Sequence, residues 1–164
     1  MEKISLAKAA KYTSPNPVSI VCTQKPDGSA NLATVSWWTY LSYDPDMIAY
    51  AMAKTSYSGE MVRANKKVVL TVPAESMKAA ALGCGSTTGR TTDKPAKFAI
   101  EMQELPDCGI RVPKQIVLAI VCELKEYVET GDHYLYICNV KEVYASEGGK
   151  ALFAWGGYGD LHAV

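Results

Sequence analysis

The sequence has no Cys-x-x-Cys pair among its five cysteines (Cys22, Cys84, Cys108, Cys122 and Cys138), and the odd count does not suit a disulfide framework. Reduced, separately packed thiols and a cytoplasmic setting are therefore expected. Histidine is scarcer still: His133 and His162 lie far apart, with no carboxylate or cysteine at ligand spacing, so no metal site is expected. Neither a Gly-x-Ser-x-Gly elbow nor a Ser-His-Asp arrangement is visible, which removes the usual hydrolase signatures. Formal net charge is zero, so no polyanion such as nucleic acid is implied as a partner. The longest apolar run, Ile116 to Cys122, is too short to cross a bilayer, and Met1 to Pro17 never assembles a signal-peptide core. No membrane association is expected.

What is present suffices for a core. Hydrophobic residues make up 48% of the 164, which predicts one folded domain over residues 1–164. Val18 to Thr23 is a β-branched run ending at the turn Pro26-Asp27-Gly28, and Ala30 to Leu41 resumes the strand pattern, forming a hairpin. Met47 to Ala53 reads as a third strand, although its alanines also allow a helix. Ser58 to Asn65 reads as a short amphipathic helix capped by Ser58, and Val68 to Val72 as a fourth strand stopped by Pro73. Glu75 to Leu82 predicts a second helix, ended by Gly83 ahead of a polar loop from Cys84 to Pro95. Two long strands follow, Gln115 to Val128 and Tyr134 to Ala145, joined through residues 129–133. Six strands connected mainly by hairpins predict a mainly β protein, an antiparallel barrel with a few short helices.

Three segments carry chemistry. Gly83 to Thr91 is rich in glycine and hydroxyls, but Cys84 and Arg90 stand where a Walker loop needs glycine and lysine, and Thr88 where a dinucleotide fingerprint needs glycine. Its small residues still suit anion binding through backbone N–H groups, with Ser86, Thr87, Thr88, Arg90 and Lys94 as added donors; a plain surface loop fits the composition equally. Lys54-Thr55-Ser56-Tyr57-Ser58 lies between a strand and a helix start, where a cap and an anion site coincide. Ala30 to Trp38 is a strand of small and polar residues ending in paired tryptophans, which serves either core packing or a flat aromatic ligand. Trp155 and Tyr158 form an aromatic tail that either covers a pocket or dimer surface or frays.

In this order, the segments resemble the flavin reductase-like family of FMN-binding split barrels, in particular its flavoredoxin-type branch. Asn31 to Trp38 with Asp44-Pro45, Lys54 to Ser58 with Asn65, Cys84-Gly85-Ser86 with Gly89-Arg90 and Asp93-Lys94, and Gly131-Asp132-His133 carry the resemblance. It implies an antiparallel split β-barrel, a homodimer, and FMN as cofactor with NADH or NADPH as electron donor. Asn31, Ala33, Thr34, Val35, Ser36 and Trp37 would then line the isoalloxazine. Lys54, Thr55, Ser56 and Ser58, with Ser86, Gly89, Arg90 and Lys94, would hold the phosphate end. His133 would lie near the flavin face and help place a substrate. The implied function is a flavin reductase-like oxidoreductase passing electrons to free flavin, ferric iron or another acceptor. The alternatives are a flavoredoxin-like carrier reduced by a protein partner and a non-redox ligand-binding barrel.

Overall fold

A computed structural model describes residue 1, residues 3–9 and residues 11–164. In chain order the elements are α1 (Leu6–Ala9), β1 (Asn16–Pro17), β2 (Ser19–Gln24), β3 (Ala30–Val35), β4 (Trp38–Tyr43), β5 (Asp46–Ala53), α2 (Tyr57–Asn65) and β6 (Lys67–Pro73). A 3-10 turn (Glu75–Met77) leads into α3 (Lys78–Ser86), followed by α4 (Lys94–Lys97), β7 (Met102–Gln103) and β8 (Val112–Pro113). The long pair β9 (Ile116–Thr130) and β10 (His133–Ala145) precedes β11 (Leu152–Ala154) and β12 (Leu161–Ala163).

Seven strands form one antiparallel sheet in the order β3-β2-β6-β9-β10-β5-β4. Its two edges, β3 and β4, are consecutive in the chain and separated only by Ser36 and Trp37. The sheet therefore curls until its edges approach at a seam, where the β4–β5 ladder runs on into the link through the amide of Ala51, which donates to the carbonyl of Trp37 (2.9 Å). The mainly β, antiparallel barrel expected from the sequence is the fold found.

Successive strand residues face opposite sides, and here both sides are covered. Val21, Val68, Leu70 and Ile120 pack with Tyr50 and Tyr136 inside the barrel. Their neighbours Ile20, Cys22 and Val69 pack outward under Met77, Ala81 and Cys84 of the α3 region. Two buried faces explain why β2 and β6 are continuous apolar runs rather than alternating ones. The β9–β10 hairpin turns at Gly131, whose φ of +59° is the left-handed conformation that glycine adopts without strain.

Four expectations need correction. The strand read as Ala30 to Leu41 is interrupted at Ser36-Trp37, because this pair changes sheet edges. The helix after β5 is capped by Ser56, whose Oγ accepts from the amide of Gly59 (3.3 Å), rather than by Ser58. Gly83 does not end α3, which runs to Ser86; a Cβ there would lie 2.4 Å from the Phe98 ring, so the glycine serves close packing. The polar loop is consequently shorter, since Asp93 starts α4 by accepting from the amide of Ala96 (3.1 Å).

Leu70→Ala should cost about 3 kcal/mol, the usual loss for a leucine truncated in a closed core. Urea denaturation should show the midpoint falling with an unchanged slope.

Candidate functional site

At the barrel seam lies a cavity of about 500 Å³. Ala33 to Trp37 form one wall, Ala51 to Ala53 at the end of β5 and Thr55 to Ser58 at the start of α2 form another, and Cys84 to Gly89 close a third side. Lys94, His133 and Tyr158 complete it. Alanines and glycines recess the walls and expose backbone, while the polar surface is almost entirely hydroxyl.

Those hydroxyls are held by specific partners. Thr34 Oγ1 donates to the carbonyl of Ala81 (2.5 Å), and Ser86 Oγ (3.3 Å) and Thr87 Oγ1 (2.9 Å) both donate to the carbonyl of Gly83, tying β3 to α3 and closing the end of that helix. Ser58 Oγ accepts from Asn31 Nδ2 (2.7 Å), so its own proton is available to the cavity. Thr55 Oγ1 has no side-chain partner among the described residues, and the first-turn N–H groups of α2 lack intrahelical acceptors. Together they present donors at the positive end of a helix.

Eleven of the fourteen residues expected to bind cofactor line this cavity: Ala33, Thr34, Val35, Ser36, Trp37, Thr55, Ser56, Ser58, Ser86, Gly89 and Lys94, along with His133. Asn31, Lys54 and Arg90 do not. Asn31 is buried behind the wall, donating to Thr23 Oγ1 (3.1 Å) as well as to Ser58, while its Oδ1 has no partner. Gly89 packs against that oxygen, and a Cβ there would stand 1.7 Å from it. Lys54 pairs with Glu129, and Arg90 pairs with Glu60 while lying over the Tyr57 ring at 4.7 Å.

Lys94 has a different position from the one expected of a surface cation. It is 2% exposed, and its Nζ donates to the carbonyls of Leu32 (2.6 Å) and Cys84 (2.7 Å), clamping β3 to the end of α3. Burial lowers its pKa, partly offset by Cys84. Burial in turn pushes the Cys84 thiol up to about 11 and the Cys138 thiol up to about 12, and raises Cys22 and Cys122 as well. Thiols so raised carry almost no thiolate at neutral pH and are poor nucleophiles.

Contrary to expectation, each histidine has a carboxylate beside it. His133 Nδ1 lies 2.7 Å from Asp132 Oδ1, and His162 Nε2 lies 2.9 Å from Asp160 Oδ2. The hydrogen bond to His133, then its charge, holds Asp132 below the usual carboxylate range. Trp37 stands 5.1 Å from His133 between ring centroids, and its indole N–H donates to the hydroxyl of Tyr158. Of the aromatic tail, Tyr158 therefore lines the cavity, while Trp155 packs on His162 at 5.7 Å between centroids. Among the described residues no group of three potential ligands is placed to hold a metal ion.

Ala51, Met52 and Ala53 are the cavity residues that lie outside every segment singled out for chemistry in the sequence. The alternating small residues in Ala51-Met52-Ala53 are the same signal that singled out Ala33, and applied to that strand it would have found them.

The curled sheet with a hydroxyl-lined cavity at its seam places the protein among antiparallel split barrels. The chain belongs to the flavin reductase like domain family, which it matches over residues 12–162. It is 30% identical over 152 residues to a flavin reductase of Pseudomonas putida, covering 92% of this chain and 85% of that protein. Among solved structures, flavoredoxin of Desulfovibrio vulgaris (Miyazaki F) superposes with a TM-score of 0.85 at 19% identity, over 99% of this chain and 93% of that one. The FMN-binding protein from Thermus thermophilus with bound 1-cyclohex-2-enone gives a TM-score of 0.85 at 20% identity, over 99% and 94%. Among the described residues no helix is long and apolar enough to cross a membrane.

Lys94→Met should destabilise the protein by about 2–4 kcal/mol, because two buried carbonyls lose their donor. The pH dependence has a definite sign. With its folded pKa below the ordinary 10.5, Lys94 binds a proton less readily folded than unfolded. Stability relative to Lys94→Met should therefore rise as pH climbs from the lowered value towards 10.5. Denaturation midpoints of both proteins between pH 7 and 10.5 check this; a constant gap would remove the buried-cation assignment.

Proposed function

We propose that the protein is an FMN-binding oxidoreductase that takes electrons from NADH or NADPH and passes them to free flavin, ferric iron or another acceptor. The observation that carries the reading is the joining, in one cavity, of the recessed strand Ala33 to Ser36 with the hydroxyl-rich N-terminus of α2. Its volume suits a ligand of that size, and Gly89, which has no Cβ to meet Asn31, lets the Ser86 to Gly89 wall pack closely on the β3 strand. Backbone groups of β3 would meet the pyrimidine edge of the flavin, and Thr55, Ser56 and Ser58 with the α2 amides would hold the phosphate. Bound FMN supplies the hydride acceptance and electron release; the protein supplies binding, orientation and electrostatics.

His133 and Trp37, in ring contact at the cavity mouth, are the residues we assign to substrate placement over the flavin. The Asp132 carboxylate, 2.7 Å from Nδ1, fixes the orientation of the imidazole. The edge strand β4 exposes Tyr40 and Tyr43, the latter 84% exposed, an apolar rim that fits a homodimer interface.

Purified protein should be yellow and should bleach anaerobically with NADH or NADPH. Colour without bleaching by either nucleotide would favour a flavoredoxin-like carrier reduced by a protein partner. Failure to take up added FMN would leave a non-redox binding barrel.

Ser56→Ala should weaken FMN binding about tenfold, the worth of one hydrogen bond to a charged group. Arg90→Ala and Lys54→Ala should each weaken it less, because Glu60 and Glu129 already engage those cations. Titration followed by FMN fluorescence quenching gives all three affinities, and no change in any of them would remove the phosphate assignment.

A further inference from the structure

A second cavity of about 450 Å³ adjoins the first. The two share Thr34, Val35, Ser36, Gly85, Ser86 and Tyr158. Beyond that common wall the second cavity is aliphatic, lined by Val18, Ala81, Leu82, Ala154 and Leu161, with Gly159 at its edge. None of the residues lining it carries a charge. Val18, Ala81, Ala154 and Leu161 are each at most 2% exposed and form the packed floor beneath the cavity, so the apolar surface open to a ligand comes from Val35, Leu82 and Tyr158.

The polar groups at the shared wall are unequally occupied. The Thr34 hydroxyl is committed to the Ala81 carbonyl and that of Ser86 to the Gly83 carbonyl. The Tyr158 hydroxyl accepts from Trp37. Ser36 alone of the four has a hydroxyl with no hydrogen-bond partner among the described residues, and the Tyr158 hydroxyl, being an acceptor, keeps its own proton, so two donors face an otherwise apolar opening.

We propose that this second cavity is a separate binding site for a neutral, planar aromatic molecule bearing a carbonyl, and that Tyr158 is the wall that keeps it apart from the first cavity. A charged ligand would lose its hydration there without finding a counter-ion. A planar aromatic molecule gains aliphatic contact on its faces and an edge contact with the Tyr158 ring, and its carbonyl receives the Ser36 proton. Tyr158 is placed for this by two contacts with Trp37, the hydrogen bond and an edge-on ring packing at 6.1 Å and 73°. The site itself does not depend on flavin. That its occupant lies next to a bound flavin rests on the function proposed above.

Menadione serves as the probe, titrated into isotope-labelled protein with and without FMN and followed by amide chemical shifts. Saturable shifts should fall on Ala81, Leu82, Ala154, Gly159 and Leu161. Gly159→Val tests the location, because Gly159 stands at the edge of the cavity and a Cβ there meets nothing within 4 Å, so the larger side chain crowds that edge without displacing the fold. This variant should weaken menadione binding at least tenfold and leave FMN affinity unchanged. Tyr158→Ala should join the cavities, so that menadione and FMN, independent in the native protein, compete. Shifts confined to Thr55 to Ser58, or menadione binding unaltered by Gly159→Val, would overturn the proposal. Menadione binding at this site in a protein that takes up no FMN would uphold it while removing the flavin reading. FMN uptake without menadione binding would do the reverse.

Discussion

The two-residue link at Ser36-Trp37 is the constraint on which the rest of the structure depends. Laid flat, a sheet of seven strands would hold its edge strands about 29 Å apart, at about 4.8 Å per spacing. The chain from the end of β3 to the start of β4 can span no more than about 11 Å. Since those strands are the two edges, the sheet must close on itself. The barrel is split, because β3 and β4 are brought near each other without pairing. Closure requires strong coiling, for which the register shifts in β9–β10, near Ile137/Cys138 and Val140/Glu142, and in β4–β5 near Tyr40/Ser42, supply local bends.

The same link creates the site. Turning from one edge to the other, the chain leaves its regular ladder at Ser36 and Trp37 and lies over the end of β5, where α2 begins. The walls at the seam are then a strand end, a helix start and a helix end, the places where backbone groups lack partners within their own element. Small side chains at Ala33, Ala51, Ala53, Gly85 and Gly89 keep those groups reachable. Asn31 and Lys94 do the remaining structural work from behind: one couples β2, β3 and α2, and the other couples β3 to α3. Residues of strongly polar type are thus used to fix the geometry, and the cavity itself is left to hydroxyls.

Much of this was legible in the sequence, for physical reasons that also mark where reading stopped. The β-branched runs at Val18 and Val68 were legible as strands because burial on both faces left no helical periodicity, and the two long segments flanking Gly131 because a glycine turn joins them as a hairpin. The hydroxyl clusters at Thr55 and Ser86 identified two of the walls, since such residues favour helix ends wherever they occur. The break at Ser36-Trp37 was illegible because it is imposed by sheet closure, with no local turn residue to announce it. The extension of α3 past Gly83 was hidden for a similar reason: the glycine answers to Phe98, fifteen residues away in sequence. The short strands β1, β11 and β12 were missed because pairs and triplets of residues carry no periodicity.

The positions of Lys54, Arg90 and Lys94 show how composition overstates cations in an anion site. All three were natural candidates for a phosphate, yet Lys94 is consumed by two carbonyls and the others stand outside the cavity, each paired with a glutamate. The buried cation is fixed, since withdrawing its donors would orphan groups that water cannot reach. The two outer pairs are partly exposed and therefore worth little, of the order of 1 kcal/mol or less each, so a dianion bound as proposed would compete with them at small cost. Permanent polarity inside the cavity comes from hydroxyls and the α2 N-terminus, which need no counter-ion when empty. On the proposed reading, a phosphate would meet these hydroxyls and helix-end amides, with Lys54 and Arg90 held just outside the cavity.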